Sequence, residues 1–373
     1  MRKRFIRQSV AGRTLLATAT ALPLLIGTGV AAASSPASQH HSGPAINETD
    51  LVSDLPGRGQ LPPDPSLVNP WGLALSPTSP IWSANNGADN ATLYSGPTAT
   101  TPVAKVPLTV PINNGAPTGQ AFNSDPSTTD FVVHGPNGSG AARFIFDSEA
   151  GDITAWNPTA SPTALTQWHV DGAIFKGLAQ LNTKFGSFLL AADFHHGKID
   201  VFDSNFHPVK LPKAFFHDPR LPRGYAPFNV AVLGDSIYVT YAKQDANAED
   251  EVDGARLGIV DQYLGFGLIP RRIATHGTLN APWGLATAPA SFGKIAGDLL
   301  VGNFGDGRIN IFDKHSGAFR GQLKDSWGKP ITIDGLWSLT QGTAATGGTD
   351  ALWFSAGIDH EQHGLLGLLR PAA

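Results

Sequence analysis

An all-β chain wound as a six-bladed β-propeller is the fold class this sequence predicts, and three observations predict it. The first is composition: 42 Gly and 29 Pro punctuate the 373 residues. Short alternating or apolar runs such as DSIYVTYA and GRINIFD recur between them, with no sustained amphipathic helical period after the N-terminus. The second is a repeat. LVNPWGLALSP at 67–77 returns as LNAPWGLATAP at 279–289, placing Trp71 and Trp283 212 positions apart, or four units of 53. Aligned on the Gly of PWGLA, weaker copies fill the gap: Gly72, Gly119, Gly177, Asn229, Gly284 and Gly335, spaced by 47, 58, 52, 55 and 51 residues. The third is that each copy leads into a β-hairpin and, in most units, a further β-like run. A unit therefore holds about the four strands of one propeller blade.

The elements follow in chain order. Residues 1–33 read as a signal peptide, with a basic start (MRKRFIRQ), a short apolar run and the small-residue site Ala31-Ala32-Ala33; a retained anchor is the alternative. Residues 34–44 are expected to be a flexible linker in which His40 and His41 are solvated. AINETDLVSD at 45–54 has β character but precedes the first unit. The hairpins then run IWSANNGADNATLY, ARFIFDSEAGDITAW, FLLAADFHHGKIDVF, SIYVTYAK with GIVDQY across a long insertion, LLVGNFGDGRINIF, and ALWFSAG with GLLGLL. Outer runs are AKVPLTV, ALTQWHV, PRRIATH and FRGQLKD. The sixth unit ends after its third strand at 365–370, which leaves an open edge. We therefore expect 45–54 to supply the outer strand of the last blade and close a single propeller over 45–373.

The six units, with the phrases LVSDLPG, NPWGLA, FHHGKIDVFD and DHEQHGLLG, resemble NHL-repeat and gluconolactonase-like six-bladed propellers, and together resemble an uncharacterised family of secreted bacterial propeller proteins. The resemblance covers essentially the whole chain after the leader and implies its fold, leaving the chemistry open. It also implies a divalent metal such as Ca or Zn, since gluconolactonase-like propellers hold one with Asn, Asp and Glu near the positions of Asp193, Asn229 and Asn303. Oxygen and amide ligands suit Ca2+. The departure is at the first blade, where Asn69-Pro70-Trp71-Gly72 stands in place of a Glu.

In a propeller the first strand of each blade lines the central channel, and the turn between second and third strands opens on the face where that first strand begins. Trp71 and Trp283 precede the Gly of an innermost strand; they either pack between blades or stack on a sugar or aromatic ligand. The second strands end in Asn85, Asp147, Asp193, Tyr241, Asn303 and Ala356, a ring expected at the channel mouth, with turn chemistry as the plainer explanation of its Asn and Asp. Histidine marks two opposite hairpins, His195 and His196 in the third unit and Asp359, His360, Glu361 and His363 in the sixth. HEQH at 360–363 is one residue short of a zinc-protease HExxH and lies in a hairpin. A metal or acid–base site is expected where the sixth-unit group meets Asn303, Asp306 and Asn85. The insertion KQDANAEDEVDGARLG at 243–258 begins like a calcium loop, but Asp250 stands where Gly is required. It reads as a solvated acidic flap; bound cation would fall to Asp245, Asp250 and Asp253.

The leader holds five basic and no acidic residues, so the rest of the chain carries 21 Lys and Arg against 30 Asp and Glu, a net of −9. That balance argues against nucleic acid or an anionic membrane as partner once the leader is cleaved. The chain has no Cys and its one Met is Met1, so core burial must stabilise it without disulfides. The function expected is that of a secreted, monomeric module binding a small-molecule, carbohydrate or protein ligand on the hairpin face. The alternative is a metal-dependent hydrolase or lyase, lactonase-like, working at the same mouth.

Overall fold

A computed structural model of the chain describes residues 43–125, 127, 129–264 and 266–372. The leader and residues 34–42 of the linker lie outside the described residues. Six antiparallel sheets follow one another as blades. Blade one is Pro70–Ala74, Ile81–Asn85, Asn90–Ser95 and Ala104–Pro111; blade two is Pro117–Phe122, Phe144–Ser148, Asp152–Trp156 and Leu165–His169. Blade three is Phe175–Thr183, Gly186–Asp193 and Lys198–Phe202; blade four is Tyr225–Leu233, Ser236–Gln244, Ile259–Leu264 and Ile269–Thr275. Blade five is Pro282–Thr287, Leu299–Asn303, Ile309–Phe312 and Phe319–Gln322, and blade six is Leu336–Gln341, Leu352–Ala356 and Leu365–Pro371. The fourth strand of blade six is Ile46–Ser53, antiparallel to Leu365–Pro371. The expected closure by the N-terminal strand is thus present.

The repeated glycine is explained by how closely the innermost strands approach. A Cβ on Gly72 would stand 2.6 Å from the Thr118 carbonyl oxygen in blade two, and one on Gly119 would stand 2.1 Å from the Leu178 nitrogen in blade three. On Gly284 it would lie 2.8 Å from the Trp337 carbonyl oxygen in blade six. Asn229, the exception in blade four, instead spans the gap: its Nδ2 donates to the Trp283 carbonyl at 2.8 Å. In blade six the structure corrects the alignment. Leu336 pairs with Ala356 as Pro282 pairs with Asn303, so Ser338, not Gly335, takes the place of Gly284. Gly335, at φ 62°, serves the turn before the strand.

Apolar residues from facing sheets bury against each other around the ring. Leu73, Leu366 and Trp353 fill the gap between blades six and one, Trp82, Phe144 and Trp156 that between one and two, and Leu190, Val230 and Ile237 that between three and four. Two irregularities escape the repeat pattern. Blade three has no regular fourth strand, and residues 204–224 cover its edge, with the Val209 amide donating to Val201 at 2.7 Å. Blade two carries an extra hairpin, Val132–Gly135 with Gly138–Ala141.

Two substitutions check this architecture by urea unfolding. Gly119→Ala drives a methyl into backbone and is expected to cost about 3 kcal/mol. Leu51→Ala, at a side chain 1% exposed in the closing strand, is expected to cost about 3 kcal/mol; an unchanged midpoint would show that blade six does not depend on that strand.

Candidate functional site

In every blade the innermost strand slips in register just after the residue that faces the end of the second strand: Pro70, Pro117, Phe175, Pro227, Pro282 and Leu336. A bulge re-aims the side chain that follows. The residues that follow are Trp71, Thr118, Lys176, Phe228, Trp283 and Trp337. Contacts among them join blades that are not neighbours, which only a crossing of the central channel permits. Trp71 of blade one lies edge-on to Trp283 of blade five at 6.2 Å, and Phe228 of blade four lies 6.0 Å from Trp337 of blade six. Trp71 and Trp337 stack at 3.5 Å, and Phe304 stacks on Trp337 at 4.1 Å. With Phe194, Ala226, Ala242 and Ala281 these rings form one buried apolar cluster. The channel is closed by aromatic side chains.

Lys176 is the exception in that set, an ammonium in a place otherwise held by rings and a threonine. Its side chain is 1% exposed, and Nζ lies 5.2 Å from the centroid of Trp71 and 6.0 Å from that of Phe194, in cation–π contact. Burial opposes the charge, but Glu149, Glu251 and Asp250 outweigh it and hold the ammonium pKa above its ordinary value. Nζ donates to Glu149 Oε1 at 2.5 Å and to Asp250 Oδ1 at 3.4 Å. From there a hydrogen-bonded chain circles the mouth. Asn86 Nδ2 donates to Glu149 Oε2 at 3.0 Å, and Asn69 Nδ2 donates to Glu361 Oε2 at 3.0 Å and to Asn86 Oδ1 at 3.5 Å. Asn69 Oδ1 in turn accepts from Trp337 Nε1 at 3.0 Å, and the Lys176 carbonyl accepts from Trp283 Nε1 at 2.7 Å. Blade five joins through Asn280, whose Oδ1 accepts the Gly254 amide of the insertion at 2.6 Å.

The sequence-predicted residues fall in several places. Trp71 and Trp283 meet on the axis rather than wedging between blades, and at 1% and 4% exposure they offer no face to solvent. The polar ring is buried beneath the turns; Asn85, Asn303 and Asp193 bond within their own hairpins, and Asp147 accepts from Thr118 and Gly119 of its innermost strand. Asn85 donates to Asn90 and Thr92, both at 2.9 Å, and Asn303 donates to Asp306 at 2.9 Å. Asp193 accepts from the His196 amide at 3.1 Å and contacts its Nδ1 at 2.7 Å. His195 Nδ1 meets the Ala248 carbonyl of the insertion at 3.1 Å.

In blade six, Asp359, His360 and Glu361 form a left-handed turn with φ of 54°, 56° and 65°. Such backbone costs about 1–2 kcal/mol per residue, and it brings Glu361, alone of the group, to Asn69. Asp359 and His360 are exposed, while His363 Nδ1 sits 2.7 Å from Asp54 beside the closing strand. The expected meeting of this group with Asn303, Asp306 and Asn85 is therefore replaced by a meeting with Asn69. Among the described residues no three His, Asp or Glu side chains gather as a metal site. The insertion is solvated along much of its length, as expected, but it is anchored. Glu251–Val252 adds a short strand to Lys243 and Gln244, Asp245 accepts the amides of Asn247 and Glu249, and Asp250 turns to Lys176, leaving Asp253 exposed.

Sequence reading missed Lys176, Trp337, Asn69, Asn86 and Glu149. For Lys176 a signal existed: FKGLA puts a charge where PWGLA has Trp, an anomaly at a channel-lining position. Trp337 was hidden by the three-residue slip in blade six. Asn69, Asn86 and Glu149 lie in turns whose composition explains them without a site.

The chain is 33% identical over 322 residues to Uncharacterized protein R648 of Acanthamoeba polyphaga mimivirus, spanning 82% of this chain and 75% of that protein. The chain belongs to the family of that protein. Uncharacterized protein L690 of the same virus is 33% identical over 325 residues, spanning 82% and 81%; for R640 the figures are 31%, 78% and 54%. These relatives are viral and lend no support to the bacterial origin that the resemblance implied. No family model matches the chain. Among solved structures, a streptogramin B lyase is 12% identical with TM-score 0.49, covering 88% of this chain and 98% of that one. The gluconolactonase XC5397 of Xanthomonas campestris is 16% identical with TM-score 0.40, covering 61% and 82%. A PQQ-bound aldose sugar dehydrogenase of Streptomyces coelicolor is 15% identical with TM-score 0.46, covering 88% and 100%. At these values the likeness carries no argument about activity.

Lys176→Met is expected to lower stability by about 3 kcal/mol by stranding the carboxylates around it, and to raise amide exchange at 245–257. Asp250→Asn, at a side chain 57% exposed, is expected to cost under about 1 kcal/mol. A second test uses pH. Asp147 is buried, and burial pushes its carboxyl from the ordinary 3.8 up to about 7 against the hydrogen bonds from Thr118 and Gly119. The unfolded chain therefore releases this proton first, so the group subtracts stability progressively as pH rises from about 4 through about 7. Between pH 5 and 8 the urea midpoint of the wild type should fall more than that of Asp147→Asn.

Proposed function

We propose that the protein is exported by its 1–33 leader and works as a binding module whose ligand sits in the cup at the channel mouth. The floor supports this reading: the aromatic cluster closes the channel, so the mouth is a cup rather than a passage. Its wall carries Asn86, Glu149, Asp250 and Glu361, each at least partly exposed, along one hydrogen-bonded chain through Asn69 and Lys176. Acceptor oxygens dominate that wall, and Lys176 already supplies the cation within it. The ligand chemistry that fits is a small polar molecule rich in hydrogen-bond donors, as in sugar hydroxyls and amines. Calorimetric titration with neutral oligosaccharides and polyamines is expected to find a binder whose affinity drops at least tenfold in Asn86→Ala with Glu361→Gln. Binders indifferent to both changes would place the ligand elsewhere.

A hydrolase or lyase reading has one observation behind it. His196 is 38% exposed and its Nδ1 lies 2.7 Å from the buried Asp193 carboxylate, and an imidazole oriented in this way can act as a general base. Lactone hydrolysis abolished by His196→Asn and unaffected by Glu361→Gln would favour it over binding alone.

A further inference from the structure

The face opposite the mouth carries a surface that the overall charge conceals. The turn 183–186 between the first two strands of blade three, residues 264 and 266–268 between the last two of blade four, and residues 204–216 after blade three come together there. Phe188 and Phe266 rings lie 5.1 Å apart, Phe215 lies 6.1 Å from Phe266, and the Phe216 amide donates to the Gly267 carbonyl at 2.8 Å. Around this anchored base, large apolar side chains project into solvent: Phe185 is 82% exposed, Ile269 60%, Leu268 47% and Leu264 41%. Such a grouping of exposed apolar residues marks an interaction surface.

Charge identifies the partner. Lys184, Lys210 and Lys213 are all exposed in these segments. The nearest acid further along the chain, Asp218, is buried and paired with Arg220 and Arg272. At the fringe, Asp125 accepts from Ser187, Asp203 accepts the Asn205 and His207 amides, and Asp235 tips the neighbouring hairpin. Apolar tips flanked by lysine, on a protein otherwise net negative, match an interface whose outer layer is anionic and whose interior is apolar. We infer that this surface docks on an anionic lipid bilayer, with Phe185 and Ile269 entering the headgroup region and the mouth turned away from the membrane.

The chain contains no cysteine, so a single introduced probe reports one place. Full-length protein with Phe185→Cys carrying an NBD fluorophore is mixed with vesicles of phosphatidylcholine containing phosphatidylglycerol. A blue shift and intensity gain are expected, absent with pure phosphatidylcholine and absent for the same label at Asp253→Cys. Lys210→Glu with Lys213→Glu should weaken the half-saturating lipid concentration at least tenfold. Silence at 185 with anionic vesicles would overturn the inference. So would a shift that depends on protein concentration alone, indicating a second copy, or one that polyglutamate or nucleic acid reproduces at equal charge.

Discussion

The propeller depends on six innermost strands approaching one axis more closely than side chains allow. At Gly72, Gly119 and Gly284 the neighbouring blade's backbone or side chain occupies the space of a Cβ. Removing the Cβ brings the sheets into contact, and contact fills the gaps between blades with buried Trp, Phe, Leu and Ile. The same approach has a second effect. With the inner strands so tight, the residues just before those glycines are carried over the channel and become its lining. Packing and site geometry are thus two results of one constraint.

That constraint makes Lys176 expensive and informative. A buried ammonium is stable only if carboxylates face it, and here they come from the second and fourth blades. The charge therefore ties blades that the backbone leaves separate, and it recruits the insertion of blade four into an ordered cover. Around it Asn69 and Asn86 carry hydrogen bonds from blade one to blades six and two.

Much of the fold was legible because a period survives sequence drift. Repeated glycine, recurring hairpins and a leftover strand before the first unit were enough to set six blades and the closing pair. The cup was less legible, because a strand pattern tells inward from outward only until a bulge turns one residue. The sequence left Trp71 and Trp283 either between blades or on a ligand, and a bulge turns them onto the axis instead; for the polar ring, turn chemistry rather than the mouth accounts for Asn85, Asp193 and Asn303. Gly335 misled the alignment since turn glycines and strand glycines look alike in one dimension. The basic segment at 204–224 was lost for another reason, since net charge averages over faces that a partner meets one at a time.

The pairing that closes blade six has a kinetic side. Ser53 donates to the Gly364 carbonyl, a contact spanning 311 positions, and contacts so remote in sequence form late. During synthesis the early strand emerges first and waits unpaired, while its mate is still to be made. The ring cannot seal until the far end of the chain is free. Synthesis and completion of the fold become sequential events, and a chain stalled before its last strand presents a sticky sheet edge.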